Sequence, residues 1–171
     1  MTSHTSTSPP PAVPAGLDDV EREITRFLRR ARTASQAMAA EVHPDLDAAG
    51  YSVLVCVLEL SESMPEGVRA ADVGAALNLH KSTTSRNVGE LERLGLLERV
   101  PDLSDARARL LQLTPSGRAS VTRSREGRRT RVAQRLSLWP QHDVCELARL
   151  LGRLNDDMGR PTDTAPAPLD A

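Results

Sequence analysis

Seven consecutive residues, Lys81, Ser82, Thr83, Thr84, Ser85, Arg86 and Asn87, concentrate polar hydrogen-bonding chemistry. Hydroxyls reach phosphates or base edges, a guanidinium forks onto guanine, and a carboxamide pairs with adenine. Lys81, with His80 before it, suits phosphate contact. Further on, Asp105 and Arg107 stand two residues apart. At that spacing the carboxylate is expected to hold the guanidinium in one orientation. An arginine projected from a hairpin tip fits a narrow minor groove, where negative potential is enhanced. Arg109 follows on the same face by strand alternation, placed to meet phosphate. The chemistry is recognition of a polyanion, for which duplex DNA is the natural candidate.

Each of these side chains needs an element behind it. Val73, Ala76 and Leu77 lie on one face of a helix over 68–77, and Asn78 follows where the chain needs a residue tolerant of left-handed backbone. Ser82 is the expected N-cap of a second helix, with Val88, Leu91 and Leu94 as its buried stripe and Gly95 as its end. In that role Ser82 is first a cap, and only secondarily a contact. Residues 96–100 and 109–114 read as two strands of a hairpin, with 101–107 connecting them. A helix, a turn, a second helix and a basic hairpin thus put one helix end and one hairpin tip on the same side of a small domain.

The flanks are helical in pattern. Leu17, Val20, Ile24, Phe27, Leu28, Ala31 and Met38 recur at spacings of three and four, and His43-Pro44 closes that helix. The apolar run 51–60 suits a buried strand and a buried helix equally. Thr114-Pro115 opens a long basic helix reaching about Leu138, with Gly127 unexplained in its interior. Pro140 opens a last helix, on which Val144, Leu147, Leu151, Leu154 and Met158 form an apolar stripe. The first and last helices each carry an apolar face outside the compact middle module, which points to a symmetric homodimer.

The chain has 171 residues, enough for one sizeable core, and a net charge of −1. The charge is unevenly placed. Residues 81–135 hold 13 basic and 6 acidic residues, net +7, between flanks of −5 and −3. A basic middle steers nucleic acid. The two cysteines, Cys56 and Cys145, form no disulfide framework. No run is long enough to cross a membrane and the N-terminus lacks the order of a signal peptide, so a soluble, cytoplasmic protein is expected. Pro-, Ser- and Thr-rich residues 1–16 and 159–171 read as disordered tails.

Two stretches resemble MarR-type transcriptional regulators. Asp105-Ala-Arg107-Ala-Arg-Leu-Leu-Gln-Leu113-Thr114-Pro-Ser-Gly117 is similar to their wing signature, and Leu91-Glu-Arg-Leu94-Gly95-Leu-Leu-Glu-Arg99 to the end of their recognition helix and the first wing strand. The resemblance covers about Val20 to Asn155. It implies a mainly α fold with a small β-hairpin wing (α+β). A winged helix-turn-helix over 46–117 would be joined to a dimerisation helix at 17–45 and, over 118–158, to a long helix and a C-terminal dimerisation helix. It favours helix for the ambiguous run at 51–60. It also implies a homodimer on pseudo-palindromic DNA, with Arg107 in the minor groove. Ala106 departs from the pattern where many relatives have a second arginine, which implies either a lower wing affinity or compensation by Arg109.

Such regulators often sense small aromatic ligands in a crevice between the DNA-binding and dimerisation parts, which singles out His43 and Tyr51 as candidate effector contacts. Only one Trp, one Tyr and one Phe are available for stacking. No nucleophile–base pair, phosphate-binding Gly loop or metal-ligand spacing is present, so neither an enzyme nor a cofactor or metal is expected. The function implied is a ligand-responsive, DNA-binding regulator, with repression as the commoner mode. The alternative from another class is a winged-helix module for protein contact without sequence-specific DNA binding.

Overall fold

The structure, a computed structural model, describes residues 15–102, 104–105 and 107–159. Residues 1–14 and 160–171, most of the expected tails, and Ala106 lie outside the described residues. The elements are α1 (Leu17–Val42), α2 (Ala48–Leu60), α3 (Ala70–Ala76), α4 (Lys81–Arg93), β1 (Leu97–Pro101), β2 (Arg109–Leu113), α5 (Pro115–Leu136) and α6 (Gln141–Met158). The fold is therefore mainly α with one small antiparallel hairpin, as the sequence implied. The chain divides into two compact units, one ending at Ser124 and the other beginning at Arg125.

In the first unit the ambiguous run is a helix, α2. Tyr51, Val53, Leu54, Cys56, Val57 and Leu58 are all buried. A helix apolar nearly all round has no solvent face to offer, so it becomes the centre of its unit. α2 packs against α1, α3, α4 and β2. Its start is capped by Asp47, whose Oδ1 accepts the Gly50 N–H at 2.7 Å.

α3 and α4 end in the same way. Asn78 takes φ 50°, and Leu79 N–H returns to the Gly74 carbonyl at 2.8 Å while Asn78 N–H reaches Ala75 at 3.2 Å. At the end of α4, Gly95 takes φ 69°, Leu96 N–H reaches Leu91 O at 2.9 Å and Gly95 N–H reaches Glu92 O at 3.0 Å. Both are left-handed stops that satisfy the last carbonyls of a helix and turn the chain sharply. The start of α4 differs from the sequence expectation. His80 is the N-cap and makes no side-chain cap bond, while Ser82 lies inside the first turn.

β1 and β2 pair antiparallel from Leu97 opposite Leu113 to Pro101 opposite Arg109. Sequence patterning missed a third contributor. Val68 and Leu111 exchange both backbone hydrogen bonds, at 2.9 and 2.8 Å, so the residues ahead of α3 extend the sheet. Gly67 allows this approach: it takes φ 125°, and a Cβ there would lie 2.7 Å from Leu110 Cβ. α5 then opens as expected, with Thr114 Oγ1 accepting the Gly117 N–H at 3.0 Å.

On α1 only Met38 and Ala39 are buried, whereas Leu17, Val20, Phe27 and Leu28 are exposed. In the second unit no residue of α6 is buried, and Leu150, Leu151 and Met158 stand open. Large apolar side chains are thus bared on both α1 and α6.

Two glycines on α5 separate packing from propensity. A Cβ on Gly117 would sit 2.0 Å from the Leu96 carbonyl oxygen, with backbone on both sides of the contact. Gly117→Ala is therefore expected to cost on the order of 3 kcal/mol of unfolding free energy. At Gly127 the nearest atoms are the Arg131 guanidinium, at 3.6 Å. Gly127→Ala is expected to stabilise by about 1 kcal/mol, the usual helix-propensity difference. Denaturant melts of the two variants check both signs.

Candidate nucleic-acid interface

α4 presents its first two turns as a split surface. Lys81, Ser82, Ser85 and Arg86 are exposed and Thr83 is half-buried. Thr84 and Asn87, which the sequence grouped with them, are 3% and 6% exposed. They lie on the same side as Val88 and Leu91, because residues three and four apart share one helix face. Thr84 Oγ1 bonds the His80 carbonyl at 3.2 Å and lies 3.1 Å from where a Cβ on Gly74 would be. It is the packing contact between the two helices, not part of the outward face. Asn87 is likewise turned inward, and its Nδ2 is buried with no hydrogen-bond partner among the described residues. The exposed set is thus Lys81, Ser82, Ser85 and Arg86, with Thr83 at its edge.

The first three N–H groups of α4 have no carbonyl of their own helix to meet, and no side chain caps them. An uncapped helix start next to Lys81 offers donors and partial positive charge to an anion.

In the hairpin, Asp105 does something other than expected. Its Oδ1 accepts the backbone N–H of Arg107 at 3.0 Å, and its carbonyl accepts Ala108 N–H at 2.9 Å. The carboxylate therefore sets the turn rather than gripping the guanidinium. Arg107 is exposed just ahead of β2, and Arg109, also exposed, begins that strand opposite Pro101.

Ion pairing sorts the cations between 69 and 117. Arg93 is paired to Glu90, Arg99 to Glu92 and Arg69 to Asp102. Among the described residues, Lys81, Arg86, Arg107 and Arg109 have no such partner. The Arg93 hydrogen bond holds the Glu90 carboxyl below its ordinary range. The paired arginines are charge-neutralised locally, and the unpaired cations lie at the start of α4 and along the hairpin.

Asp102 and Arg69 escaped the sequence reading. Asp102 is only 7% exposed; one oxygen takes Arg69 Nη2 at 2.8 Å and the other takes Ser104 N–H and Oγ–H at 2.8 and 2.6 Å. The bonds from Ser104, then the nearby Arg69, hold its carboxyl below the ordinary carboxylate range. The one available clue was Asp-x-Ser at 102–104, a turn-forming pattern; nothing local announces a partner 33 residues away.

The expected effector residues are placed differently. Tyr51 is buried, its hydroxyl 3.3 Å from Ser124 Oγ and 3.7 Å from Met38 Sδ. It joins α2, α5 and α1 in the core instead of lining an open crevice. His43 is half-buried, and its Nδ1 accepts the Asp45 N–H at 3.1 Å. Cys56 is buried, and desolvation followed by the nearby Glu59 pushes its thiol up, which disfavours the thiolate. Cys145 is exposed on α6, not packed. Among the described residues no helix is long and apolar enough to cross a membrane.

Comparison with known proteins agrees with this architecture. Residues 56–108 match the model of the MarR family. A solved MarR family transcription regulator superposes with a TM-score of 0.69 at 22% identity, covering 85% of this chain and 96% of that one. RV1404 from Mycobacterium tuberculosis gives 0.68 at 23% identity, with 89% and 100% covered. CouR from Rhodococcus jostii RHA1, solved bound to p-coumaroyl-CoA, gives 0.65 at 25% identity, with 90% and 100% covered. No curated protein sequence matches the chain.

Two outcomes follow from the geometry. Asn87→Leu keeps the branching of the side chain and removes an unpartnered buried donor, so its melting temperature is expected to equal or exceed that of the unsubstituted protein. A drop of several degrees would show that Asn87 has a partner in solution. For Asp102, a carboxyl lowered on folding contributes fully above its unfolded value, about pH 4, and loses that contribution as the pH falls through the lower folded value. The Ser104 amide resonance should stay constant from neutrality to about pH 4 and move only below it.

Proposed function

We propose that this chain, whose residues 56–108 match the MarR family and whose fold is that of MarR-type winged-helix regulators, acts as a sequence-specific repressor. In this reading it binds a pseudo-palindromic operator as a homodimer. The observation that carries it is the division of the cations. Between residues 69 and 117 the exposed cations without an ion pair among the described residues, Lys81, Arg86, Arg107 and Arg109, sit on α4 and the hairpin, where a duplex would need them. Arg86 and the hydroxyls of Ser82 and Ser85 would face base edges in the major groove. Lys81 and the free N–H groups at the start of α4 would hold a phosphate. Arg107 would enter the minor groove and Arg109 would meet the backbone.

The dimer is supported by the bared apolar residues of α1 and α6, and half-sites about 34–36 Å apart would set the spacing of the two α4 helices. A small-molecule effector would change that spacing. CouR's p-coumaroyl-CoA makes an aromatic acyl-CoA a reasonable first ligand to test. An effector wedged between α2 and α5 would have to break the Tyr51–Ser124 bond.

Selection of bound fragments from the source genome, followed by titration across salt, tests the reading. Arg86→Ala is expected to weaken the selected site by about 1–3 kcal/mol and to relax preference at one base pair. Arg107→Ala should weaken binding and lower the salt slope by about 1. Retention of no preferred fragment at moderate salt would favour a winged-helix module for protein contact instead.

A further inference from the structure

Asp102 is buried just beyond the last strand pair, on the tip side of the hairpin. Its geometry governs the residues that would touch a duplex. The backbone N–H of Asp102 reaches the Ala108 carbonyl at 3.3 Å across the hairpin, one residue beyond the Pro101–Arg109 pair. One carboxylate oxygen fastens Ser104 twice, fixing the outgoing arm. The other binds Arg69, the N-cap residue of α3, in a different element altogether. Arg69 follows Val68, which is already pinned to Leu111 of β2. Ahead of it, the Glu66 carbonyl accepts Gln112 Nε2 at 2.9 Å. Hairpin and helix-turn-helix are thus joined by the Val68–Leu111 strand contact and the Arg99–Glu92 pair at mid-strand, and by the Arg69–Asp102 pair toward the tip.

We propose that the Arg69–Asp102 pair is a positioning device for the wing, setting the direction of Arg107 relative to α4, and that Arg69 is not itself a DNA contact. This rests on the DNA-binding reading above. A two-stranded ribbon has little stiffness of its own and twists freely beyond its last lateral support. Val68 supports the middle of β2, at Leu111, whereas Arg107 lies four residues further toward the tip. Asp102 supplies the only ion pair linking that outer part to the body among the described residues. A carboxylate carrying three hydrogen-bond donors is also a poor neighbour for phosphate unless its charge is already spent. Arg69 spends it, which leaves the arginine less free to hold a phosphate.

The test is a set of binding titrations on the fragment that the unsubstituted protein selects, with melting temperatures measured in parallel. Asp102→Asn is expected to weaken binding about tenfold, and Arg69→Met about equally, with the double variant no weaker than either one. Combined with Arg107→Ala, Asp102→Asn should change affinity less than twofold further, because the effect passes through Arg107. A loss that adds fully to that of Arg107→Ala, or an Asp102→Asn protein that binds as tightly as the unsubstituted one, overturns the proposal. So does a salt slope that falls by about 1 in Arg69→Met while staying unchanged in Asp102→Asn, since Arg69 would then be a phosphate contact. Should the protein select no fragment, the DNA-binding reading fails separately. Amide exchange in the free protein then decides the clamp: Ser104 and Arg107 amides exchanging at least tenfold faster in Arg69→Met support it, and unchanged rates overturn it.

Discussion

The backbone at Gly95-Leu96 is the joint on which the first unit depends. There the left-handed glycine stops α4, and the Leu96 N–H closes the last turn onto Leu91. The Leu96 carbonyl takes the Thr114 N–H at 3.2 Å, joining the incoming and outgoing ends of the hairpin. Gly95 O accepts hydroxyls from Thr114 and Ser116, at 2.7 and 3.2 Å, and bare Gly117 lies against Leu96 O. Within a few residues, one peptide segment ends α4, starts β1 and seats the first turn of α5. The hydrogen-bonding needs of a helix end, a strand pair and a helix start are met together, which leaves little freedom in the angle between α4 and the hairpin.

Around that joint, burial and charge take separate tasks. α2 supplies a centre with almost no polar surface, so the elements packed on it are free to carry polar faces outward. α4 shows the consequence most clearly. Its inward side keeps Thr84, Asn87, Val88 and Leu91, and its outward side keeps Lys81, Ser82, Ser85 and Arg86. Glu90, Glu92 and Asp102 then neutralise Arg93, Arg99 and Arg69. Between residues 69 and 117, pairing some arginines leaves the unpaired positive charge at the first turns of α4 and along the hairpin, which is electrostatic focusing by subtraction.

The sequence carried most of the elements because their signals are local. Asn78 and Gly95 mark the two left-handed stops, Thr114-Pro115 the start of α5, and the alternation after Leu96 the hairpin. Local signals also misled where a residue had more than one use. Ser82 has the chemistry of an N-cap, yet the N-cap lies two residues earlier, since His80 already supplies the carbonyl that Thr84 needs. Thr84 and Asn87 have the chemistry of base readers, yet helix phase turns them to the core. Asp105 has the chemistry of an ion-pair partner, yet the neighbouring backbone N–H is nearer and fixed in place.

By itself the sequence determined most of the helices, turns and strands, with the residues of 51–60 left open between strand and helix, as well as how charge divides along the chain and which short stretch carries the polyanion chemistry. Those properties follow from periodicity, caps and composition over a few residues. Only the tertiary structure decided which polar side chains face out, which arginines are already paired, and that Tyr51 belongs to the core. It also revealed that Val68 extends the sheet and that Arg69 reaches Asp102. These contacts join residues far apart in the chain, and their partners depend on how the helices stack around α2. No local pattern encodes that distance.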